Sequence, residues 1–175
     1  MADVKTKYPV ASENTVDLTL SPASLASSST LLAGREATAV DNTTNLDLDH
    51  LLSGVVRVGT TPTIDTVIEV WGFGAWDVSG GTPGYPDTLA GTDAAVTITA
   101  NAIKIAALRL IAVLSVDTTT SDRDYYFPPT SIAALFGGHL PPYWGVWLTH
   151  NTGVALNATG TNHKMTYHRI QRSVA

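Results

Sequence analysis

The chain has 175 residues, no cysteine and a formal net charge of -5. The length suffices for one domain with its own core; the missing thiols exclude a disulfide framework, a thiolate zinc site and a thiol nucleophile; the acidic balance excludes a phosphate-neutralising surface, and with it a nucleic-acid partner. Only 14% of the residues are charged against 44% hydrophobic, which predicts that some apolar surface meets a partner protein.

Residues 1–14 are polar apart from Tyr8-Pro9-Val10, so they read as an extended arm that orders against something else, ahead of one domain over residues 15–175. No apolar stretch of leader type opens the chain. Thr and Ser supply about a fifth of the residues, with 14 Gly and 9 Pro, a composition of strands and turns. A first strand is expected over 15–20, followed by a small-residue loop over 21–30. Strands follow at 35–41 and at 45–58, where Leu46 and Leu48 alternate with Asp47 and Asp49 and Gly54 allows a bulge. Another alternating strand spans 66–76. The Gly- and Pro-rich stretch 77–93 predicts a long loop, and 94–99 a short strand.

Residues 105–116 fit a helical stripe and a strand face alike, and their β-branched members favour a strand. The segment is shorter than the ~20 residues a membrane-spanning helix needs, so no membrane partner is expected. A polar loop then holds Asp117, Asp122, Arg123 and Asp124. In 129–138, Thr130 or Ser131 caps one or two helical turns that Gly137-Gly138 stops. Strands at 143–150 and 163–174 close the chain. About eight antiparallel strands with one short helix and no repeating βα unit predict an all-β jelly-roll sandwich.

Catalysis needs a nucleophile, base or metal beside an orienting partner. On a regular strand Asp47 and Asp49 share one face and His50 points away from both, so the two carboxylates read as a solvated face. The five histidines, His50, His139, His150, His163 and His168, show no spacing that brings three together on zinc. The acidic cluster after Val116 lacks the glycine of a calcium loop, and Arg123 reads as paired to a neighbouring carboxylate. Ser79-Gly80-Gly81-Thr82-Pro83-Gly84 lacks the ending of a phosphate loop. No catalytic residue, metal or cofactor is therefore expected. The four tryptophans, Trp71, Trp76, Trp144 and Trp147, either fill a core or form an exposed patch that stacks on sugars or anchors a protein. Trp144 and Trp147 face opposite sides of one strand, so one of the two is expected to leave the core.

Ser24-Leu25-Ala26-Ser27-Ser28-Ser29 and the run from Ala33-Gly34-Arg35-Glu36 through Asn45-Leu46-Asp47-Leu48-Asp49 resemble a family of tailed-bacteriophage virion proteins, the jelly-roll cement or decoration proteins. Ile68-Glu69-Val70-Trp71, Thr120-Ser121-Asp122-Arg123, Leu135-Phe136-Gly137-Gly138 and Thr149-His150-Asn151-Thr152-Gly153 extend the resemblance over about residues 22–175. It implies a non-enzymatic protein on the outer surface of the capsid, made in the cytoplasm of the host bacterium, that bridges neighbouring major capsid proteins and stabilises the expanded shell. The acidic charge suits the exterior of a DNA-filled head, and the apolar excess suits a partner. Self-association is expected as a homodimer ahead of a homotrimer, two-fold closure being the commonest. The interface residues expected are Tyr8, Pro9 and Val10 of the arm, with Trp76, Tyr85 and Trp144. The alternatives are a carbohydrate-binding jelly roll that uses Trp76, Tyr85 or Trp144, and a tail or baseplate component of the same fold.

Overall fold

The structure, a computed structural model, describes residues 4–7, 15–75, 77–79 and 81–174. Its strands in chain order are β1 (Val4–Lys7), β2 (Thr15–Asp17), β3 (Ala33–Glu36), β4 (Val40–Asp41), β5 (Asp49–Arg57), β6 (Thr66–Ala75), β7 (Asp77–Ser79), β8 (Thr82–Gly84), β9 (Ala94–Thr97), β10 (Arg109–Val116), β11 (Asp124–Ser131), β12 (Tyr143–His150) and β13 (Lys164–Val174). Two short helices, α1 (Asn101–Ala107) and α2 (Ile132–Leu135), and a 3-10 turn at Gly160–Asn162 complete the described elements.

The antiparallel pairings are nested along the chain: β2 with β13, β3 with β12, β5 with β11 and β6 with β10. Cross-pairing of β13 with β5 and of β12 with β6 then assembles two sheets. The first runs β1-β13-β5-β11 with β2 also on β13; the second runs β10-β6-β12-β3-β9 with β4 also on β12; β7 and β8 form a separate hairpin. The protein is thus mostly β, in two antiparallel sheets, in keeping with the all-β sandwich expected. Inside the stretch expected as an arm, Val4–Lys7 pairs with the end of β13, Val4 opposite Val174 and Lys7 opposite Gln171. Tyr8, Pro9, Val10 and Trp76 lie outside the described residues.

The main core lies between the sheets. Alternate residues of facing strands fill it: Leu52 and Val56 on β5, Tyr125 and Phe127 on β11, Met165 and Tyr167 on β13, against Ile68 and Val70 on β6, Leu114 and Val116 on β10, and Trp144, Val146 and Leu148 on β12. Strand periodicity of two puts each set on one face. β12 is buried on its other face as well, where Trp147 joins Trp71, Phe73, Leu89, Ile98 and Leu108 in a second cluster. The expectation that one of Trp144 and Trp147 leaves the core is corrected here: both are 0% exposed. They do point to opposite faces, but Leu89, Ile98 and Leu108, from the connection between β8 and β10, cover the outer one. Backbones approach closely under that cover, and a Cβ at Gly145 would run into the Phe73 ring.

Inside 77–93, expected as a long loop, β7 and β8 pair as a hairpin, and two further elements depart from expectation. Residues 101–107 are helical, so β10 begins at Arg109; the helix has no side-chain N-cap, Ala100 standing at that position, and its start therefore carries no sequence signal. β11 includes Pro128 and Pro129, with its register shifting between Phe127 and Thr130. An edge strand tolerates proline because the lost N–H faces no neighbour. The cap and stop of α2 form as expected: Ser131 Oγ accepts the Ala134 N–H at 3.0 Å, and the Gly138 N–H donates to Ala133 O at 2.8 Å.

Candidate functional site

The densest group of reactive side chains lies where the chain enters β5. Leu46 sits in the left-handed region at φ 51°, so the extended backbone expected from residue 45 starts only at Asp49 and the two-residue alternation fails at Asp47. Its carboxylate turns inward. Asp47 Oδ2 accepts from His50 Nε2 at 2.9 Å and Arg169 Nε at 2.7 Å, and Oδ1 from Arg169 Nη2 at 3.2 Å and Gln171 Nε2 at 2.8 Å. Asn42 clamps the backbone behind it, accepting the Asp47 N–H at 2.8 Å and donating to Asp47 O at 3.1 Å. The reading of Asp47 as a solvated carboxylate turned away from His50 is corrected: Asp47 is 5% exposed and His50 is 2%. Asp49 is likewise engaged, accepting from Ser131 Oγ at 2.6 Å and the Ala133 N–H at 2.8 Å at the start of α2.

The tautomer of His50 follows from its other neighbour. Trp144 Nε1–H donates to His50 Nδ1 at 2.8 Å, and an indole nitrogen has no lone pair to accept with. His50 Nδ1 is therefore the bare nitrogen, and Nε2 carries the proton that Asp47 accepts. Burial pushes the His50 imidazole below its ordinary value, against the pull of Asp47. Burial alone raises Asp47, but hydrogen bonds from Arg169, His50 and Gln171 outweigh it and hold the carboxyl below the usual range. An Asp–His pair prepares a general base only when the far imidazole nitrogen reaches a reacting group. Here Trp144 fills that position, and the pair works as a tie between β5, β12 and β13. Trp144, expected among interface or sugar-stacking residues, is corrected by the same geometry: its ring is fully buried, packed edge-on against Tyr167 at 5.4 Å.

The other buried polar groups are closed in the same manner. His150 Nε2 donates to Leu25 O at 3.0 Å, with Thr152 Oγ1 at 3.0 Å from Nδ1. His163 Nε2 donates to Asn157 O at 2.8 Å while its Nδ1 accepts the Arg57 N–H at 3.3 Å. Burial pushes both imidazoles below their ordinary value. Glu36, fully buried, accepts the Ala90 and Gly91 N–H groups at 3.1 and 2.9 Å, and burial raises it against those bonds. In the outer cluster Lys104 Nζ donates to Glu69 Oε2 at 2.9 Å and Leu31 O at 3.0 Å, 5.2 Å from the centre of the Trp71 ring, whose Nε1 donates to the same Oε2 at 2.8 Å. Among the described residues no buried side-chain nitrogen or oxygen lacks a partner, and no group of three His, Cys, Asp or Glu is placed to hold a metal ion.

At the surface, Arg123 pairs with Asp117 at 3.1 Å, as expected for a polar loop. A cleft of about 410 Å³ is lined by Leu18, Leu20, Val55, His163, Lys164 and Met165 among others; its histidine is committed to Asn157, and Lys164 pairs with Asp17 at 3.3 Å, so neither stands ready as a base. Tyr85 is half-buried and stands edge-on to Phe73 at 5.8 Å, closing the outer cluster. The three described tryptophans are at most 7% exposed. Among the described residues the exposed large apolar side chains are Ile103 and Ile105 on α1, Leu110 and Val113 on β10, Tyr126 on β11, and Leu46 and Ile64 in connections. For Leu110 and Val113 the signal is the uncharged run between Arg109 and Asp117, which holds more apolar side chains than one strand face can bury. Among the described residues no helix is long and apolar enough to cross a membrane.

These features define a class: a two-sheet β protein whose described buried polar groups are satisfied internally and whose described surface exposes scattered apolar side chains. No protein-family model, curated protein or solved structure matches the chain.

Proposed function

We propose that this is a jelly-roll cement, or decoration, protein of a tailed phage, which sits on the outer surface of the head and bridges neighbouring major capsid proteins. The observation that carries the reading is the nested strand pairing. Taken as eight strands with β3 and β4 as one, the pairs give the orders β2-β13-β5-β11 and β3-β12-β6-β10, the pattern of a ribbon rolled into a two-sheet jelly roll. That is the fold implied by the resemblance through Leu135-Phe136-Gly137-Gly138 and Thr149-His150-Asn151-Thr152-Gly153. The commitment of His50, His150, His163 and Asp47 to structural bonds supports a binding role over a catalytic one.

The mechanism is linkage. A protein that binds the expanded lattice and not its precursor stabilises that lattice by its binding free energy at every equivalent position, and a closed dimer that engages two subunits gains effective concentration without new contacts. Sugar stacking by Trp144 has no support, because that ring is inside the core.

The test is titration of the pure protein onto heads of the phage that lack it, with bound copies counted per particle. Saturation at a multiple of the icosahedral symmetry number, with heads gaining resistance to heat, is the expected result. Attachment of a few copies per particle moves the protein to the tail or baseplate, and no attachment overturns the reading.

A further inference from the structure

A closed ring of hydrogen bonds holds the connection between β12 and β13 onto β5. The Arg57 N–H donates to His163 Nδ1 at 3.3 Å, His163 Nε2 donates to Asn157 O at 2.8 Å, and the Asn157 N–H donates to Arg57 O at 3.2 Å. Asn157 carries neighbouring segments as well. Its O also accepts the Ser24 N–H at 3.2 Å, its Nδ2 donates to Asp122 Oδ1 at 2.6 Å, and its Oδ1 accepts from the Thr159 N–H at 2.8 Å and from Asn162 Nδ2 at 3.0 Å. The connections at this end of the sandwich thus meet on one residue, and in the ring that ties it to β5 only His163 has a side chain that titrates.

The two histidines that bound this connection meet a proton differently. A carbonyl only accepts and a peptide N–H only donates, so in the ring Nε2 of His163 carries the hydrogen and Nδ1 is bare. A proton on Nδ1 faces the Arg57 N–H, donor against donor, and the peptide cannot turn to meet it. His150, at the other end, faces a hydroxyl instead. Thr152 Oγ1 stands 3.0 Å from His150 Nδ1 and 3.0 Å from Val154 O, while His150 Nε2 donates to Leu25 O at 3.0 Å. The hydroxyl hydrogen turns to Nδ1 beside a neutral ring and to Val154 O beside a charged one, so that end stays bonded in both states. Around His163, Arg57 on β5 and Lys164 on β13 carry the sign of an imidazolium, as His150 on β12 does when protonated, and the carboxylates are taken. Asp124 on β11 is held by Arg57 at 2.7 and 2.8 Å, Asp17 on β2 by Lys164 at 3.3 Å, and Asp122 by Asn157. Burial also holds the imidazole below its ordinary value. The segment has space on both sides: the cleft of about 410 Å³ borders Thr161 and His163, and another of about 530 Å³ borders Asn157 and Ala158.

We infer that His163 is an acid-operated clasp: a proton on its Nδ1 opens the ring and parts residues 157–163 from β5, while His150 and both sheets hold. Leu156, 2% exposed and bonded through its N–H to Leu25 O at 3.0 Å, stays in the core and confines the opening to the residues after it. The clasp goes beyond the decoration reading and does not depend on it.

Amide exchange of the Arg57 and Asn157 N–H groups, corrected for the intrinsic rate at each pH, reads the clasp, and the NMR signal of the His163 ring reads the proton. Below the ordinary imidazole value of 6.5, and down to the lowered value of the closed ring, the opening constant is expected to rise about tenfold per pH unit. Amides of the β6–β12 ladder are expected to exchange far more slowly throughout. His163→Gln keeps a donor for Asn157 O and binds no proton, so it is expected to flatten the pH dependence at Arg57 and Asn157, whereas His50→Gln leaves it intact. The unmodified protein alone can overturn the proposal, through Arg57 and Asn157 protection that is constant between about pH 7 and 5 or that falls in step with the β6–β12 ladder. A pH dependence that survives His163→Gln, or that His50→Gln removes, overturns it as well.

Discussion

Trp144 and Trp147 stand three residues apart on β12, equally buried on opposite faces, and are held in different ways. Trp144 lies between two sheets whose strands pair across the length of the chain, with its indole N–H bonded to His50 at 2.8 Å. Trp147 lies under one continuous connection, and its N–H reaches Val96 O at only 3.5 Å. That connection is fastened by one short edge strand, β9 on β3, and at a few further points: Lys104 on Glu69, Arg35 on Asp93 at 2.6 Å, and the Ala90 and Gly91 N–H groups on Glu36. A face closed by strand ladders opens only with the fold, whereas a face closed by one tethered segment can open locally.

The largest expected effects test that difference directly. Trp144→Ala removes a full aromatic volume and strips His50 Nδ1 of its donor, for a loss of about 5 kcal/mol or failure to fold. Asp47→Ala removes the buried acceptor shared by the His50 N–H, Arg169 and Gln171, at about 4 kcal/mol. Trp147→Ala is expected to cost less, about 3 kcal/mol, because the covering segment can settle into part of the space. Urea unfolding measures all three. Amide exchange should also accelerate over residues 89–108 in Trp147→Ala before the sheets open, and equal exchange throughout the molecule would remove the distinction between the clusters.

The fastening of the outer cluster gives a smaller effect. Lys104→Met leaves Glu69 with the Trp71 N–H and without its counter-charge, and about 2 kcal/mol is expected. Adding Glu69→Gln removes the uncompensated carboxylate and should recover more than half of that loss. A double variant less stable than Lys104→Met alone would show that the pair contributes more than it costs to bury.

How far the fold is legible in the chain follows the same division. β6, β12 and β13 lie where alternation places them, and Ser131 with Gly137-Gly138 marks α2 correctly. Alternation also locates the core face of β5, but it fails at Asp47, because the positive φ at Leu46 has no glycine to announce it. Arg169 and Gln171, the partners of Asp47, lie more than 120 residues along the chain and carry no local signal. β11 hides behind Pro128-Pro129, which mark an edge as readily as a loop. The second burial of β12 was written in Trp144-Gly145-Val146-Trp147-Leu148, an unbroken run of the kind found in strands covered on both faces, although the cover itself comes from residues of turn-like composition.

Acid acts on the two clusters through different groups, and one histidine sharpens the test. His50, His150 and His163 are held below their ordinary value of 6.5 by burial. As pH falls below 6.5, the unfolded chain binds three protons that the folded one refuses, so stability falls, approaching about 1.4 kcal/mol per pH unit for each histidine until its lowered folded value is passed. Glu36, on the outer face opposite Trp147, is raised from 4.5 by burial. Between its raised value and 4.5 the folded chain binds the proton first, and that residue adds stability as pH falls. His50→Gln keeps an acceptor for Trp144 and a donor for Asp47 while removing one titration, so the loss between pH 6.5 and 5.5 should shrink, by at most about 1 kcal/mol. Denaturation midpoints across that interval measure it. A slope unchanged by His50→Gln would move the acid response from His50 to His150 and His163.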